Sequence, residues 1–172
     1  IDTDRNFLQL FTAVNAMAEK YDMPILYSCH PRSRKRLEAT GFRLDSRVIA
    51  HEPLGFHDYN CLQMNAFAVV SDSGTLPEES SFFLSVGKPF PAISIRTSTE
   101  RPEALDAGCF ILAGIDAESL LQAVKMADGM QRTACFGTPV EDYTAENVSM
   151  KVARIIQSYT GIVNKMVWRK DG

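Results

Sequence analysis

The chain has 172 residues, 45% of them hydrophobic, and a formal net charge of −3. It is therefore about one domain long, and we expect no basic surface of the kind that binds nucleic acid. No apolar run approaches the ~18 residues of a membrane-spanning helix, and no signal peptide is recognisable. The cysteines at positions 29, 61, 109 and 135 are widely spaced, which argues against zinc and disulfides and favours a reducing cytoplasm.

The first predicted element is a helix. Residues 2–6 have the composition of a helix start, and residues 7–18 carry apolar side chains at helical spacing. In a fold that alternates strands and helices, we expect a strand to precede this helix.

Short apolar runs then alternate with longer helical segments. The runs predicted as strands are 24–29, 48–50, 66–70, 91–95 and 109–112. The segments predicted as helices are 33–40, 59–65, 76–86, 101–107, 116–128 and a last one from about 144 to 160, with a loop over 131–143. This alternation predicts an α/β fold with a parallel sheet flanked by helices, in which ligands bind at the carboxyl ends of the strands.

The sharpest motif runs from the third predicted strand into a helix. It consists of Ser71, Asp72, Ser73, Gly74 and Thr75. Gly74 lets a ligand approach the backbone, the hydroxyls are donors, and the unpaired N–H groups of the helix start attract anions. The motif predicts a diphosphate site, although the same residues also serve as ordinary helix caps.

The charged residues near this motif either bind the ligand or have a structural role. Glu79, one turn on, is placed to accept hydrogen bonds from a ribose diol, whereas Glu78 suits the helix dipole. Arg96 and Arg101 follow the fourth predicted strand, where a guanidinium matches phosphate oxygens. Alternatively, an arginine–glutamate pair merely braces the loop.

One histidine and two aromatic residues complete the candidates. His30 ends the first strand at the ligand edge of the sheet, so it is either catalytic or structural. Phe56 and Tyr59 precede the third strand, where a ring either stacks on a base or packs in the core. His51 and His57 have weaker claims because only their general placement supports them.

These motifs resemble the non-hydrolysing UDP-N-acetylglucosamine 2-epimerases and their sugar-nucleotide relatives. The resemblance rests on residues 71–79 (SDSGTLPEE), 86–89 (VGKP) and 98–104 (STERPEA), in the family's order and spacing. The family is similar in fold to two-domain GT-B enzymes, which have two Rossmann-like halves and an active site in the cleft between them. By this resemblance, residues 1–172 form one Rossmann-like UDP-binding domain, the C-terminal half.

The resemblance implies a role for each candidate residue. The implied catalytic residue is His30, facing the diphosphate and the sugar. The implied substrate-binding residues are Tyr59, Ser73, Gly74, Thr75, Glu79 and Arg101. Tyr59 would meet the uracil, Glu79 the ribose, and the others the diphosphate.

The implied reaction inverts C2 of a UDP-N-acetylhexosamine and needs no cofactor or metal. UDP is eliminated to leave a 2-acetamidoglycal, and it returns after reprotonation on the other face. The acidic residues that handle the C2 proton are implied to lie in an N-terminal half that this sequence lacks. Thr75 in place of a second glycine, together with residues 80–85 and 89–91, resembles the branch that makes UDP-N-acetyl-L-fucosamine for capsule or O-antigen.

The implied partners are the UDP-sugar, the N-terminal domain, on which the final helix would pack, and a second copy in a full-length homodimer. We expect neither a nucleic acid nor a membrane as a partner. Two alternatives remain open at this point, namely the donor-binding domain of a GT-B glycosyltransferase and a stand-alone nucleotide-binding module.

Overall fold

A computed structural model describes residues 3–170, so Asp2 of the predicted helix start lies outside the described residues. Its helices and strands alternate along the chain. They are α1 (Asp4–Tyr21), β1 (Ile25–Ser28), α2 (Pro31–Thr40), β2 (Val48–His51), α3 (Phe56–Asn65), β3 (Val69–Ser71), α4 (Leu76–Ser85), β4 (Ala92–Ser94), α5 (Pro102–Asp106), β5 (Ile111–Leu112), α6 (Ala117–Thr133) and α7 (Val148–Met166).

Local chemistry sets several of the helix ends. The Thr3 hydroxyl accepts a hydrogen bond from the Asn6 N–H at 3.2 Å at the start of α1. The Asp116 carboxylate accepts one from the Ser119 N–H at 2.9 Å at the start of α6. Gly41 ends α2 with a φ of +64°, a left-handed conformation that glycine adopts without strain.

All the paired strands are parallel, but they form two sheets. One sheet contains β1 and β2, and the other has the order β3–β4–β5. Within residues 3–170, no ladder of hydrogen bonds joins β1 to β3. The predicted α/β class with parallel strands and flanking helices is confirmed. Hydrophobic pattern identifies strands but not their neighbours, so it did not reveal the division into two sheets.

The main core lies between the second sheet and the pair α1 and α6. Strand β4 is at its centre, because Ala92 and Ile93 are wholly buried. Leu10 of α1 and Leu120 of α6 pack in the same cluster. Burial of such side chains stabilises a fold by roughly 25 cal/mol per Å² of apolar surface. This core holds the strand whose end leads to Arg96.

Several boundaries differ from those expected. Helix α2 begins at Pro31 and not at residue 33, because proline suits the first helical position and His30 caps it. Helix α3 begins three residues early, at Phe56. Helix α6 continues through Gly129 to Thr133, because its left-handed C-cap is Ala134 with a φ of +52°. Residues 131–133 are therefore helical and not part of a loop.

The segment that follows α6 is hydrogen-bonded to the turn after α5 and to α4. The Thr138 N–H donates to the Ala107 carbonyl at 2.9 Å, and the Val140 N–H donates to the Ser81 hydroxyl at 2.8 Å. A Cβ on Gly137 would overlap the Ala107 carbonyl oxygen, so the close approach requires glycine there.

The chain divides into two compact units, Ile1–Val140 and Glu141–Gly172. The second unit contains a 3-10 turn, Glu141–Tyr143, and α7, none of whose residues is buried. Six apolar side chains of α7 recur at alternating spacings of four and three residues, and all are between 46% and 72% exposed. They are Val148, Val152, Ile155, Tyr159, Ile162 and Met166, which we call the α7 seam.

Candidate functional site

The turn between β3 and α4 is organised by its own hydroxyls. The Ser71 hydroxyl accepts from the Ser73 N–H at 3.0 Å, and the Ser73 hydroxyl accepts from the Thr75 N–H at 3.3 Å. The Ser73 and Thr75 hydroxyl oxygens lie 2.9 Å apart. Thr75 is the N-cap of α4 but makes no side-chain capping bond. The hydroxyls therefore shape the turn and leave the first N–H groups of α4 uncapped by Thr75.

Gly74 brings the backbone next to an arginine. A Cβ placed on Gly74 would lie 3.4 Å from Nη1 of Arg96, which is van der Waals contact with this guanidinium. Arg96 also forms a fork with Glu100, with N···O distances of 2.9 and 3.2 Å. The structure thus places a positive charge beside the turn that the sequence marks as an anion site.

Arg101 is engaged with the helix that follows the turn. Its Nε and Nη2 each lie 2.6 Å from Oε1 of Glu78, and both side chains are about one-third exposed. This is the bracing arrangement that the sequence left open for the two arginines. Glu78 therefore has a side-chain partner as well as its favourable place in the first turn of α4.

The neighbouring carboxylate, Glu79, lies in a separate polar cluster. Its Oε1 accepts from the Thr75 hydroxyl at 2.7 Å, and its Oε2 accepts from Nε2 of Gln63 at 2.6 Å. The same Gln63 nitrogen donates to the Tyr59 hydroxyl at 3.0 Å. The structure therefore joins Thr75 directly to Glu79, and Glu79 to Tyr59 through Gln63, a residue that the sequence did not single out.

Tyr59 is partly buried within this cluster. Burial raises the pKa of Tyr59, and the Glu79 carboxylate raises it further, while the hydrogen bond from Gln63 opposes the shift. The phenol is thus held in its neutral form, with a hydroxyl hydrogen available for donation. Phe56, the other aromatic candidate, is 76% exposed and stacks edge-on against His57.

His30 lies at the end of β1 and caps α2. Its Nδ1 accepts from the Arg32 N–H at 3.3 Å, so the hydrogen of the neutral imidazole is on Nε2. His30 is exposed, and this N–H is available to an anion. No hydrogen bond or ion pair between described atoms links it to the cluster of Glu79.

The turn after β3 lies close enough to β1 for its carboxylate to influence a β1 side chain. Burial raises the pKa of Tyr27 to about 12, a hydrogen bond with Ser33 lowers it, and Cys29 and the Asp72 carboxylate add smaller increases. Asp72 belongs to the turn and Tyr27 to β1, so the two strand ends lie within electrostatic reach of each other. This agrees with a shared ligand edge.

Gln63 is the functional candidate that sequence reasoning missed. It is 2% exposed, whereas glutamine is mostly a surface residue. The available signal was a glutamine one turn after Tyr59 on the same face of α3. That spacing alone does not reveal the contact with Glu79, which depends on how α3 meets α4.

Two further findings concern the described chain as a whole. No helix within residues 3–170 is both long enough and apolar enough to cross a membrane. The same residues contain no group of three or more His, Cys, Asp or Glu side chains that could hold a metal ion.

Comparison with known proteins places this geometry in a family. Residues 1–157 match the family described as UDP-N-acetylglucosamine 2-epimerase. The UDP-N-acetylglucosamine 2-epimerase of Methanococcus maripaludis is 36% identical over 121 residues, which are 68% of this chain and 32% of that protein.

Solved structures agree with the sequence comparison. The structure of UDP-N-acetylglucosamine 2-epimerase from Rickettsia bellii is 37% identical, with a TM-score of 0.82 over 98% of this chain and 45% of that one. The Methanocaldococcus jannaschii UDP-GlcNAc 2-epimerase, in complex with UDP-GlcNAc and UDP, is 27% identical, with a TM-score of 0.71 over 92% of this chain and 42% of that one.

This chain therefore spans between 32% and 45% of the length of these relatives. The agreement extends over nearly the whole chain in structure and over residues 1–157 in sequence. On this evidence, the chain belongs to the UDP-N-acetylglucosamine 2-epimerase family.

Proposed function

We propose that this chain is the UDP-binding domain of a UDP-N-acetylhexosamine 2-epimerase, an isomerase that inverts C2 of its sugar. The observation that carries the proposal is the polar cluster in which Glu79 joins the Ser73–Thr75 turn to Tyr59 through Gln63. A nucleoside diphosphate needs an acceptor for its ribose hydroxyls, donors for its phosphates and a ring beside its base. The Glu79 carboxylate, the turn and the Tyr59 ring supply these three groups. The family and the ligands of the Methanocaldococcus jannaschii relative support it.

The diphosphate half of the site comprises Ser73, Gly74, Thr75 and the start of α4. In our proposal, Arg96 beside Gly74 adds positive charge, and Arg101 assists from its pair with Glu78. Negative charge develops on the diphosphate as its bond to the sugar breaks, so fixed donors at this position stabilise the transition state.

The nucleoside half comprises Tyr59 and Glu79. The Glu79 carboxylate accepts hydrogen bonds from the ribose hydroxyls, and the Tyr59 ring meets the uracil. The carboxylate is already oriented by two donors, so ribose binding requires little reordering of the protein.

The proposed reaction proceeds in two balanced steps. A base removes the C2 proton while the C1–O bond to UDP breaks, so that a C1–C2 double bond forms and UDP leaves with the bonding electrons. A proton is then added to C2 from the other face, and UDP re-forms the bond at C1. His30, through its Nε2–H, is the residue of this chain proposed to contact the diphosphate and the sugar.

The remaining parts of the enzyme are proposed to come from outside residues 1–172. The relatives are two to three times longer than the matched region, and we propose an N-terminal half that supplies the acid and base at C2. The exposed α7 seam is proposed to pack on that half, in a cytoplasmic homodimer. The substrate is a UDP-N-acetylhexosamine or its 6-deoxy-L analogue, for surface polysaccharide synthesis.

The test is a calorimetric titration of the 172-residue chain with UDP, with UMP and ADP as controls. We expect saturable binding to UDP and weaker binding to both controls, because UMP lacks the second phosphate and ADP lacks the uracil. Equal affinity for UDP and ADP would contradict a uracil site. Saturation by UMP as tight as by UDP would contradict the role of the turn in binding the diphosphate.

A further inference from the structure

Gln63 is a polar residue in a position where packing alone would favour an apolar one. It is the buried residue of α3 and is 2% exposed. Buried amide groups normally have all their hydrogen-bonding atoms paired. In Gln63 the nitrogen is paired, but Oε1 is buried and has no partner among the described residues.

The orientation of the amide follows from its partners. A carboxylate only accepts hydrogen bonds, so the atom 2.6 Å from Oε2 of Glu79 is the Gln63 nitrogen. The second hydrogen of that nitrogen is directed to the Tyr59 hydroxyl at 3.0 Å. This orientation leaves Oε1 unpaired, which costs free energy that a methionine of similar length would avoid. Packing therefore does not explain the residue.

The two hydrogen bonds fix the groups that face the nucleoside. Glu79 is held at one oxygen by Thr75 and at the other by Gln63. Each carboxylate oxygen has a second lone pair left for a ligand hydroxyl. Tyr59 accepts from Gln63, so its own hydrogen points elsewhere. Gln63 touches both groups and is itself out of solvent.

We propose that Gln63 is the positioning residue of the nucleoside half, holding the Glu79 carboxylate and the Tyr59 ring in their binding orientation before a ligand arrives. This rests on the proposed function, because it takes Glu79 as the acceptor of the ribose hydroxyls. Without Gln63, the carboxylate loses one of its two anchors, and ribose binding must then order it.

The test compares UDP with 2′,3′-dideoxy-UDP on the 172-residue chain and its Gln63→Met variant. Both ligands carry the base and the diphosphate, so altered stacking on Tyr59 affects them alike. Only UDP carries the hydroxyls that Glu79 would accept. We expect the ratio of the two affinities to fall about tenfold in Gln63→Met, as for the loss of a well-oriented charged hydrogen bond.

A matched control is Gln122→Met in α6, where the glutamine is exposed, and its ratio should equal that of the wild type. Thermal unfolding of each variant checks the fold, and Gln63→Asn, which stays polar but loses reach, replaces Gln63→Met if that variant does not fold. An unchanged ratio in a folded variant would overturn the positioning role while leaving UDP binding intact. Absence of UDP binding by the wild-type chain would instead overturn the proposed function and the positioning role with it.

Discussion

Glu78 and Glu79 are adjacent in sequence but belong to different interactions. Glu78 pairs with Arg101, whereas Glu79 accepts from Thr75 and Gln63. Both would satisfy a sequence rule that asks for acids in the first turn of a helix. Their side-chain partners give them separate expected roles in nucleotide binding.

We predict that Glu79→Gln weakens UDP binding about 10- to 100-fold, because hydrogen bonds to a charged group contribute about 1.5–3 kcal/mol. Glu78→Gln should weaken it less, since the change loosens Arg101 without removing a ribose acceptor. Calorimetric titration of both variants provides the comparison. Equal losses would show that the ribose faces the other side of α4.

The Asp45 carboxyl leads to a prediction about the stability of the fold at acidic pH. Hydrogen bonds from the Arg47 side chain, and then from its backbone N–H, hold the pKa of Asp45 near a value of about 2. A carboxyl with a lowered pKa stabilises the fold above its ordinary pKa near 4, and this contribution is lost as the pH falls through about 2. The Asp45 N–H also donates a hydrogen bond to Oδ1 of Asn15 at 2.8 Å.

The Asp45→Asn variant should therefore be less stable than the wild type at pH 7, with a difference that shrinks from pH 4 to pH 2. Urea unfolding at several pH values measures it, and Asp106→Asn, at an exposed position of α5, is the control. A difference that stayed constant down to pH 2 would mean that shape rather than charge is responsible.

At the scale of elements, two glycines in open surroundings differ in their backbone. A Cβ at Gly129 in α6 or at Gly41 after α2 would meet no atom within 4 Å, but Gly41 has a φ of +64°. Gly129→Ala should stabilise the chain by roughly 0.4–1 kcal/mol, because alanine restricts the unfolded chain and suits a helix. Gly41→Ala should destabilise it by roughly 1–2 kcal/mol. Thermal unfolding of both variants measures these changes in stability. If both substitutions changed stability in the same direction, the explanation from backbone conformation would be refuted.

The sequence predicted elements well where one periodicity continued without interruption. Residues 7–18 and 76–86 carry their helical signal locally, and the structure has α1 and α4 there. The predicted end of α6, residue 128, lies five residues before the observed end at Thr133. The left-handed residue that ends the helix is Ala134, and alanine is not a residue that marks a helix end in sequence.

In the candidate site, too, local features were predictable from the sequence and contacts between distant residues were not. Residues 71–75 were predictable because a strand, a tight turn and a helix follow one another in sequence. The contact of Gln63 with Glu79 joins residues 16 apart on different helices, and no local pattern encodes it. The Arg96 guanidinium beside Gly74 is likewise a product of neighbouring strands.

At the scale of the molecule, the α7 seam is the main exposed apolar feature of the second unit. Spacings of four and three residues resemble the seam of a coiled coil, and Ile155 and Ile162 are each more than half exposed. Large exposed apolar surfaces promote association.

We predict that the 172-residue chain self-associates as its concentration rises, and that Ile155→Lys combined with Ile162→Lys makes it monomeric. Sedimentation velocity over a concentration series measures this. Gln157→Lys adds charge away from the seam and should leave association unchanged. If Gln157→Lys also gave a monomer, net charge rather than the seam would control assembly.

The division into two sheets has a consequence for the strength of binding. His30 follows β1 and Ser73 follows β3. In the described chain these strands are joined by side-chain packing, with Ile25 and Val70 against one apolar cluster, and not by a backbone ladder. Substitutions in that cluster are therefore expected to alter the separation of His30 and Ser73, and with it the affinity of a ligand that contacts both.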